Sequence, residues 1–285
     1  MKEEKEIELK VNWNQVLVEA SRVYNEIKSQ NQQPRLNILV LGKTGVGKST
    51  LINTVFGKDF TKTGQGNPVT QEIESFTDNE RLFIYDSPGL ELDEAKKIQI
   101  ENFIKEQEAK AADEQIHIAW LCINEAGRRI EQTEKALYRL LKSHRIPILA
   151  VITKAQQDKD EKGEKFSDVV KKELESDEVF RVRALEIEDD DGEKKKIMGI
   201  KELINKSYIL LPDGRKEAFA RKQQYDKQMR KEQCVKDAKS LINYYSTAAA
   251  VPCASPLPFS DIVLILPIQI AMILDISKTC GLEFN

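Results

Sequence analysis

Residues Gly42-Lys43-Thr44-Gly45-Val46-Gly47-Lys48-Ser49 bring three glycines, two lysines and a hydroxyl together within eight positions. Glycine is required where a backbone must turn tightly and press its N–H groups against an anion. The spacing is Gly-x-x-x-x-Gly-Lys-Ser, the Walker A pattern. In that pattern the loop amides cradle phosphate, the lysine reaches the β- and γ-phosphates, and the hydroxyl binds Mg2+. Lys43, Thr44, Gly45, Val46, Gly47, Lys48, Ser49 and Thr50 are therefore the expected phosphate contacts, with Lys48 also the catalytic cation and Ser49 a metal ligand. The apolar run Leu36–Leu41 precedes the loop and a helical pattern follows it, the context that gives the motif weight over a glycine-rich turn with a chance lysine.

Two further segments fit the same chemistry. Arg81-Leu82-Phe83-Ile84-Tyr85-Asp86-Ser87-Pro88-Gly89 ends a strand-like run on an aspartate with a glycine three residues later. An aspartate there supports Mg2+, and the Gly89 N–H would sense the γ-phosphate. An Asp-Ser-Pro-Gly turn is the plain alternative. Between the two motifs, Gly64-Gln65-Gly66-Asn67-Pro68-Val69-Thr70-Gln71-Glu72 is a loop suited to ordering by a γ-phosphate. Thr70 is the expected second hydroxyl ligand of Mg2+, with Thr61 and Thr63 as competitors.

These loops need a scaffold, and the chain alternates as an α/β domain does. Strand-like runs fall near 36–41, 72–77, 81–85, 116–123, 146–152 and 179–184, and helical spacing near 48–56, 92–110, 129–143, 166–175 and 200–210. Asp78-Asn79 between two runs predicts a hairpin, so one strand is antiparallel, while the others alternate with helices and should be parallel. Trp13, Val16, Leu17, Ala20, Val23, Tyr24 and Ile27 predict a helix within residues 1–33. The nucleotide domain is expected over 34–212, closing at Pro212-Asp213-Gly214, with a helical tail over 213–285.

Composition narrows the class. A net charge of −3 argues against a nucleic-acid partner. Four scattered cysteines without a CxxC pair, and two histidines, point away from a zinc site or disulfide framework and towards a reducing compartment, with the cysteines as packing residues. Residues 1–10 do not form a secretory signal, so a cytoplasmic location is expected. In the tail, Lys- and Arg-rich residues 215–239 precede an apolar stretch, 248–276, with a Pro-rich break at Pro252–Pro258. Neither arm has the ~20 apolar residues of a spanning helix. Two readings stay open: a soluble hairpin, or peripheral membrane contact with the basic segment near anionic headgroups.

The Walker loop, Pro68-Val69-Thr70-Gln71-Glu72 and Asp86-Ser87-Pro88-Gly89 resemble those of Era-like and septin-like GTPases of the translation-factor-related class. The resemblance covers residues 34–212 and implies a Ras-like fold, six strands with one antiparallel at the edge and helices on both faces. It also implies GTP/GDP as ligand and Mg2+ as cofactor. Tail residues 235–285 resemble a domain of unknown function that often follows Era-like GTPases and is linked with membranes in some relatives. In that family the domain continues further, so the chain is expected to be a fragment or a shortened variant.

Three departures bear on activity. The guanine-reading motif of the class is Asn/Thr-Lys-x-Asp, whereas this chain has Thr153-Lys154-Ala155-Gln156. A carboxylate accepts from guanine N1–H and N2–H2, and a neutral Gln has one carbonyl acceptor, so base selection should soften. Asp158 would replace it only by distorting the loop. Ala184, near the end of the sixth strand, is the expected backbone contact to the base. The residue after Gly89 is Leu90, not a water-orienting glutamine, so slow intrinsic hydrolysis is expected, raised by a partner or by a homodimer across the switch face. The alternative is a nucleotide-binding scaffold with negligible hydrolysis, or ATP as ligand, since Walker A is shared by both nucleotide classes.

Overall fold

The computed structural model describes residues 34–57, 60–63, 67–68, 73–78, 81–87, 94–188, 192–253 and 260–281, together with Val18, Arg22 and Asn25. In chain order the first elements are β1 (Leu36–Gly42), α1 (Lys48–Phe56), α2 (Phe60–Thr63), β2 (Asn67–Pro68), β3 (Glu74–Thr77), β4 (Leu82–Asp86) and α3 (Glu94–Glu108). Then come β5 (Ile118–Asn124), α4 (Gln132–Ser143), β6 (Ile148–Thr153), α5 (Phe166–Leu174), β7 (Val179–Arg181), β8 (Ile187–Glu188) and β9 (Lys194–Lys195). Four helices close the chain: α6 (Ile200–Leu210), α7 (Arg215–Lys222), α8 (Lys227–Cys253) and α9 (Ser260–Thr279).

Period-two alternation builds a core on each face of the main sheet. Leu36, Ile38 and Val40 of β1, with Trp120 and Cys122 of β5 and Leu149 and Val151 of β6, face α1, α6 and α7. Leu39 and Leu41, with Leu121, Ile123, Ala150 and Ile152, face α3, α4 and α5. All residues of β1 are buried, as are all of β6, so these strands read as unbroken apolar runs. Helix α4 starts at a capping box between Glu131 and Glu134 and buries Leu137, Tyr138 and Leu141. Helix α5 buries Phe166, Val170 and Leu174 at four-residue spacing.

The main sheet has the order β2-β3-β4-β1-β5-β6-β7. The six expected strands are joined by β2, a two-residue strand at the edge, so two strands rather than one run antiparallel. The β3–β4 hairpin turns where Asp78 was expected to, and its carboxylate accepts the N–H groups of Arg81 (3.1 Å) and Leu82 (3.0 Å). The remaining neighbours are parallel, which brings the C-terminal ends of β1, β4, β5, β6 and β7 to one edge.

Residues 33–230 form one compact unit and residues 1–32 with 231–285 another. The first runs past Pro212 because α7 buries Phe219 and Ala218 in the core of the sheet unit. In the second, Tyr245, Ile268 and Ala271 pack together, and Tyr245 is paired with Asp275. A disulfide joins Cys234 to Cys280, with their Cα atoms 5.2 Å apart, which corrects the expectation that the cysteines are packing residues only. Sequence spacing missed it because the partners are separated by 46 positions and meet only when α8 and α9 run alongside each other. Cys122 does pack: burial pushes its thiol up to about 12. Among the described residues no helix is long and apolar enough to cross a membrane. Of the N-terminal helix expected near residues 13–29, Val18, Arg22 and Asn25 are helical and the others lie outside the described residues.

Candidate nucleotide-binding site

The site forms where β1 gives way to α1. Gly42 has φ 151°, and a Cβ there would lie 2.7 Å from the Cys122 carbonyl oxygen on β5, so the chain leaves the sheet only through glycine. Gly47 caps α1 with φ 106°. It also lets the loop approach β6, since a Cβ there would meet Thr153 Cβ at 3.9 Å and Lys154 Cε at 4.0 Å. Val46 is buried beneath the loop, while Thr44 and Ser49 are exposed above it. The first amides of α1 have no intrahelical acceptor, and with the helix dipole they form a nest for an anion.

Lys48 is 8% exposed, and its ammonium donates to the carbonyls of Gly42 (3.0 Å) and Lys43 (3.3 Å). It lies 3.7 Å from Asp86 Oδ1, across the β1–β4 register that pairs Val40 with Asp86. Lys43 is ion-paired with Glu131, which Arg129 approaches at 3.7 Å. Burial raises the Asp86 carboxyl to about 6; Lys48 opposes that rise and Glu74 adds to it.

Asp86 Oδ1 and Ser87 Oγ are buried without a hydrogen-bond partner. A buried, unsatisfied carboxylate oxygen is a polar atom awaiting a ligand. With the Ser49 hydroxyl on the adjoining helix, it supplies the hard oxygen donors that Mg2+ takes alongside water and phosphate oxygens. The residues present fit the ion. No cluster of three or more His, Cys, Asp or Glu that could hold a metal occurs among the described residues, and a site completed by phosphate does not require one. Thr70 and Gly89, expected at this site, lie outside the described residues, as do Leu90 and Gln71.

The loop after β6 borders the phosphate loop. Thr153 Oγ1 donates to the Val46 carbonyl at 2.7 Å, with the Ile123 carbonyl within reach at 3.1 Å. Lys154 has φ 54° and is exposed, and Gln156 is also exposed. Ala184 follows β7, and its carbonyl accepts from Thr54 on α1 (3.0 Å), which ties that strand end to the same edge. Lys43 through Thr50, Asp86, Thr153, Lys154, Gln156 and Ala184 thus gather at the C-terminal edge of the sheet, where open α/β sheets bind ligands.

Four supporting residues escaped the sequence reading: Glu125, Arg128, Arg181 and Arg183. Glu125 is 3% exposed, and its carboxylate accepts the N–H groups of Gln156 and Gln157 (2.9 Å for Gln157) and the Arg181 guanidinium (2.6 Å). Arg128 donates to the carbonyls of Gln157 (2.9 Å) and Asp158 (2.8 Å), and Arg183 to that of Ala155 (2.7 Å). The one available signal was a Glu directly after the apolar β5 run, at a strand end facing the motif loops.

A family model described as 50S ribosome-binding GTPase matches residues 37–154, ending short of Gln156. The chain is 30% identical over 133 residues to the probable GTP-binding protein EngB of Oenococcus oeni, a match covering 45% of this chain and 67% of that protein. It is 28% identical over 138 residues to the probable EngB of Leuconostoc citreum, covering 48% and 71%. A solved structure of a probable GTP-binding protein EngB aligns over 61% of this chain and 97% of that one, at 20% identity and a TM-score of 0.42, a likeness too low to carry an argument.

Proposed function

The chain belongs to the family of 50S ribosome-binding GTPases and EngB-like GTP-binding proteins, and from that premise we propose that it is a molecular switch with slow, Mg2+-dependent hydrolysis of GTP. The family's members are GTP hydrolases. One observation carries the reading: the Lys48 ammonium faces a buried Asp86 oxygen that has no hydrogen-bond partner. A Mg2+-bound triphosphate satisfies both groups, since its phosphate oxygens take the ammonium and its metal takes the carboxylate.

The roles then divide by residue. Loop amides and Lys48 hold the β- and γ-phosphates, Ser49 and Thr70 ligate Mg2+, Asp86 supports the ion, and Gly89 senses the γ-phosphate. When bound, Mg2+ neutralises charge developing on the phosphates. The hydrophobic Leu90 orients no water, so turnover stays low until a partner, or a second copy across the switch face, completes the site. Phosphate release should be measurable in the purified chain and abolished by Lys48→Ala. High turnover in the dilute monomer would overturn the slow switch. Tight binding without any release would favour a nucleotide-binding scaffold.

The tail is the second part of the proposal. Ile273 and Leu274 of α9 are exposed, at 52% and 45%, which supports peripheral contact with a membrane. Flotation with anionic liposomes tests it. A chain that stays with the soluble fraction at every lipid composition rules out that contact.

A further inference from the structure

The loop after β6 is held on every side that could move it, and one side chain is left over. Its amides are fixed by Glu125, its carbonyls by Arg128 and Arg183, and its first hydroxyl by the phosphate loop. Asp158, the nearest carboxylate along the chain, is already engaged: it accepts from Ser167 N–H (2.9 Å) and Oγ (2.7 Å) at the start of α5, and it faces Arg181 at 3.4 Å. Burial pushes its carboxyl up, but the Ser167 hydrogen bonds and Arg181 outweigh burial and hold it below the usual value. Turning it towards a base would break all three contacts. Glu125 is buried and equally engaged. The exposed Gln156 carboxamide carries none of the hydrogen bonds described for this loop.

A purine whose phosphates lie in the 43–49 loop extends towards this segment, because Thr153 is tied to Val46 and the Lys154 stem lies against Gly47. The group presented there is then an amide, with one acceptor oxygen and an NH2 donor beside it. The 6-oxopurine edge has the complementary order, the N1–H donor beside the O6 acceptor. The amide pairs with both and has no acceptor left for an amino group at position 2. We propose, on the reading of the site given above, that Gln156 makes the protein selective for 6-oxopurine nucleoside triphosphates as a class, without discrimination at the 2-position. Guanosine and inosine triphosphates are then equivalent ligands. Glu125 is the positioning residue that presents the amide.

Competition for the full chain with Mg2+, using GTP, ITP and ATP against a fluorescent guanine nucleotide, tests the proposal. GTP and ITP affinities are expected to agree within about fivefold. In Gln156→Asp, the carboxylate gains a charge-assisted bond from the 2-amino group worth about 1.5–3 kcal/mol, so GTP should gain about 10- to 100-fold over ITP. Gln156 is exposed, so this variant keeps its fold. Wild-type protein favouring GTP over ITP by more than about fivefold, or Gln156→Asp with an unmoved ratio, overturns the inference while the phosphate site stands. Binding of no purine triphosphate at all, or binding unaffected by Lys48→Ala, overturns the site together with the inference.

Discussion

The Lys48 ammonium and the Asp86 carboxylate lie 3.7 Å apart in one buried patch, yet burial costs the carboxylate more than the lysine returns, and its pKa stands at about 6. A pair in that balance is held for its ligand and not for stability. Asp86→Asn should therefore leave the urea stability of the nucleotide-free chain unchanged, or raise it by about 1 kcal/mol. The same variant should lower Mg2+-dependent phosphate release by at least about tenfold. Loss of stability without loss of turnover would contradict this assignment.

Gly42 tests the backbone path into the phosphate loop. Alanine there would place its Cβ 2.7 Å from the Cys122 carbonyl, at a φ that side chains rarely adopt. Gly42→Ala should cost about 2 kcal/mol or more and abolish nucleotide binding. Gly45→Ala meets nothing within 4 Å and differs only in its φ of 71°, so its cost should be the smaller one. Thermal melts and nucleotide titration of both variants check the order.

His117 predicts an acid response. Its Nδ1 accepts the Asn37 N–H at 2.9 Å, so the imidazole is neutral and its Nε2–H faces the Ala112 carbonyl at 3.2 Å. Burial lowers its pKa to about 4, against a hydrogen bond to Ala112 that raises it. Below the unfolded value the unfolded chain takes up a proton that the folded one refuses. Stability is therefore full at neutral pH and falls as pH drops from about 6.5 to about 4, with no further loss below. The ceiling is about 3 kcal/mol, reduced to about 2 by partial solvent screening. His117→Gln should flatten that limb in denaturant titrations at about pH 7 and about pH 4.5.

The Cys234–Cys280 disulfide closes a separation of 46 residues between α8 and the end of α9. Loop closure of that size stabilises by about 2–4 kcal/mol. Reduction, or Cys280→Ser, should make the 260–281 segment more sensitive to protease while nucleotide binding by residues 33–230 is retained. Unchanged protection after full reduction would show that packing around Tyr245, Ile268 and Ala271 suffices.

Much of the scaffold was legible because its signals are local. Leu36–Leu41, Ile118–Ile123 and Ile148–Ile152 are buried on both faces and so appear as continuous apolar runs. Leu137, Tyr138 and Leu141 share a helical face, and Asp78 marks its own turn. The edge strand β2 gave no such sign, since two residues, one of them proline, carry no periodicity. In the site, Lys48 and Asp86 stood out by type and spacing. Glu125 did not, because its partners Gln156, Gln157 and Arg181 lie 31, 32 and 56 positions away.

By itself the sequence determined that a glycine-rich turn lies between an apolar strand and a helix, that a lysine and a hydroxyl follow it, and that Gln stands where the related GTPases carry a carboxylate. These are properties of consecutive residues, set by φ preference, side-chain volume and hydrogen-bonding type. Only the tertiary structure decided where the remaining charges go: Asp158 to Ser167 and Arg181, Glu125 to the loop amides, Cys234 to Cys280. Strand order sets which distant groups meet, and burial then makes each meeting matter, since a charge removed from water takes whatever partner the fold brings within reach.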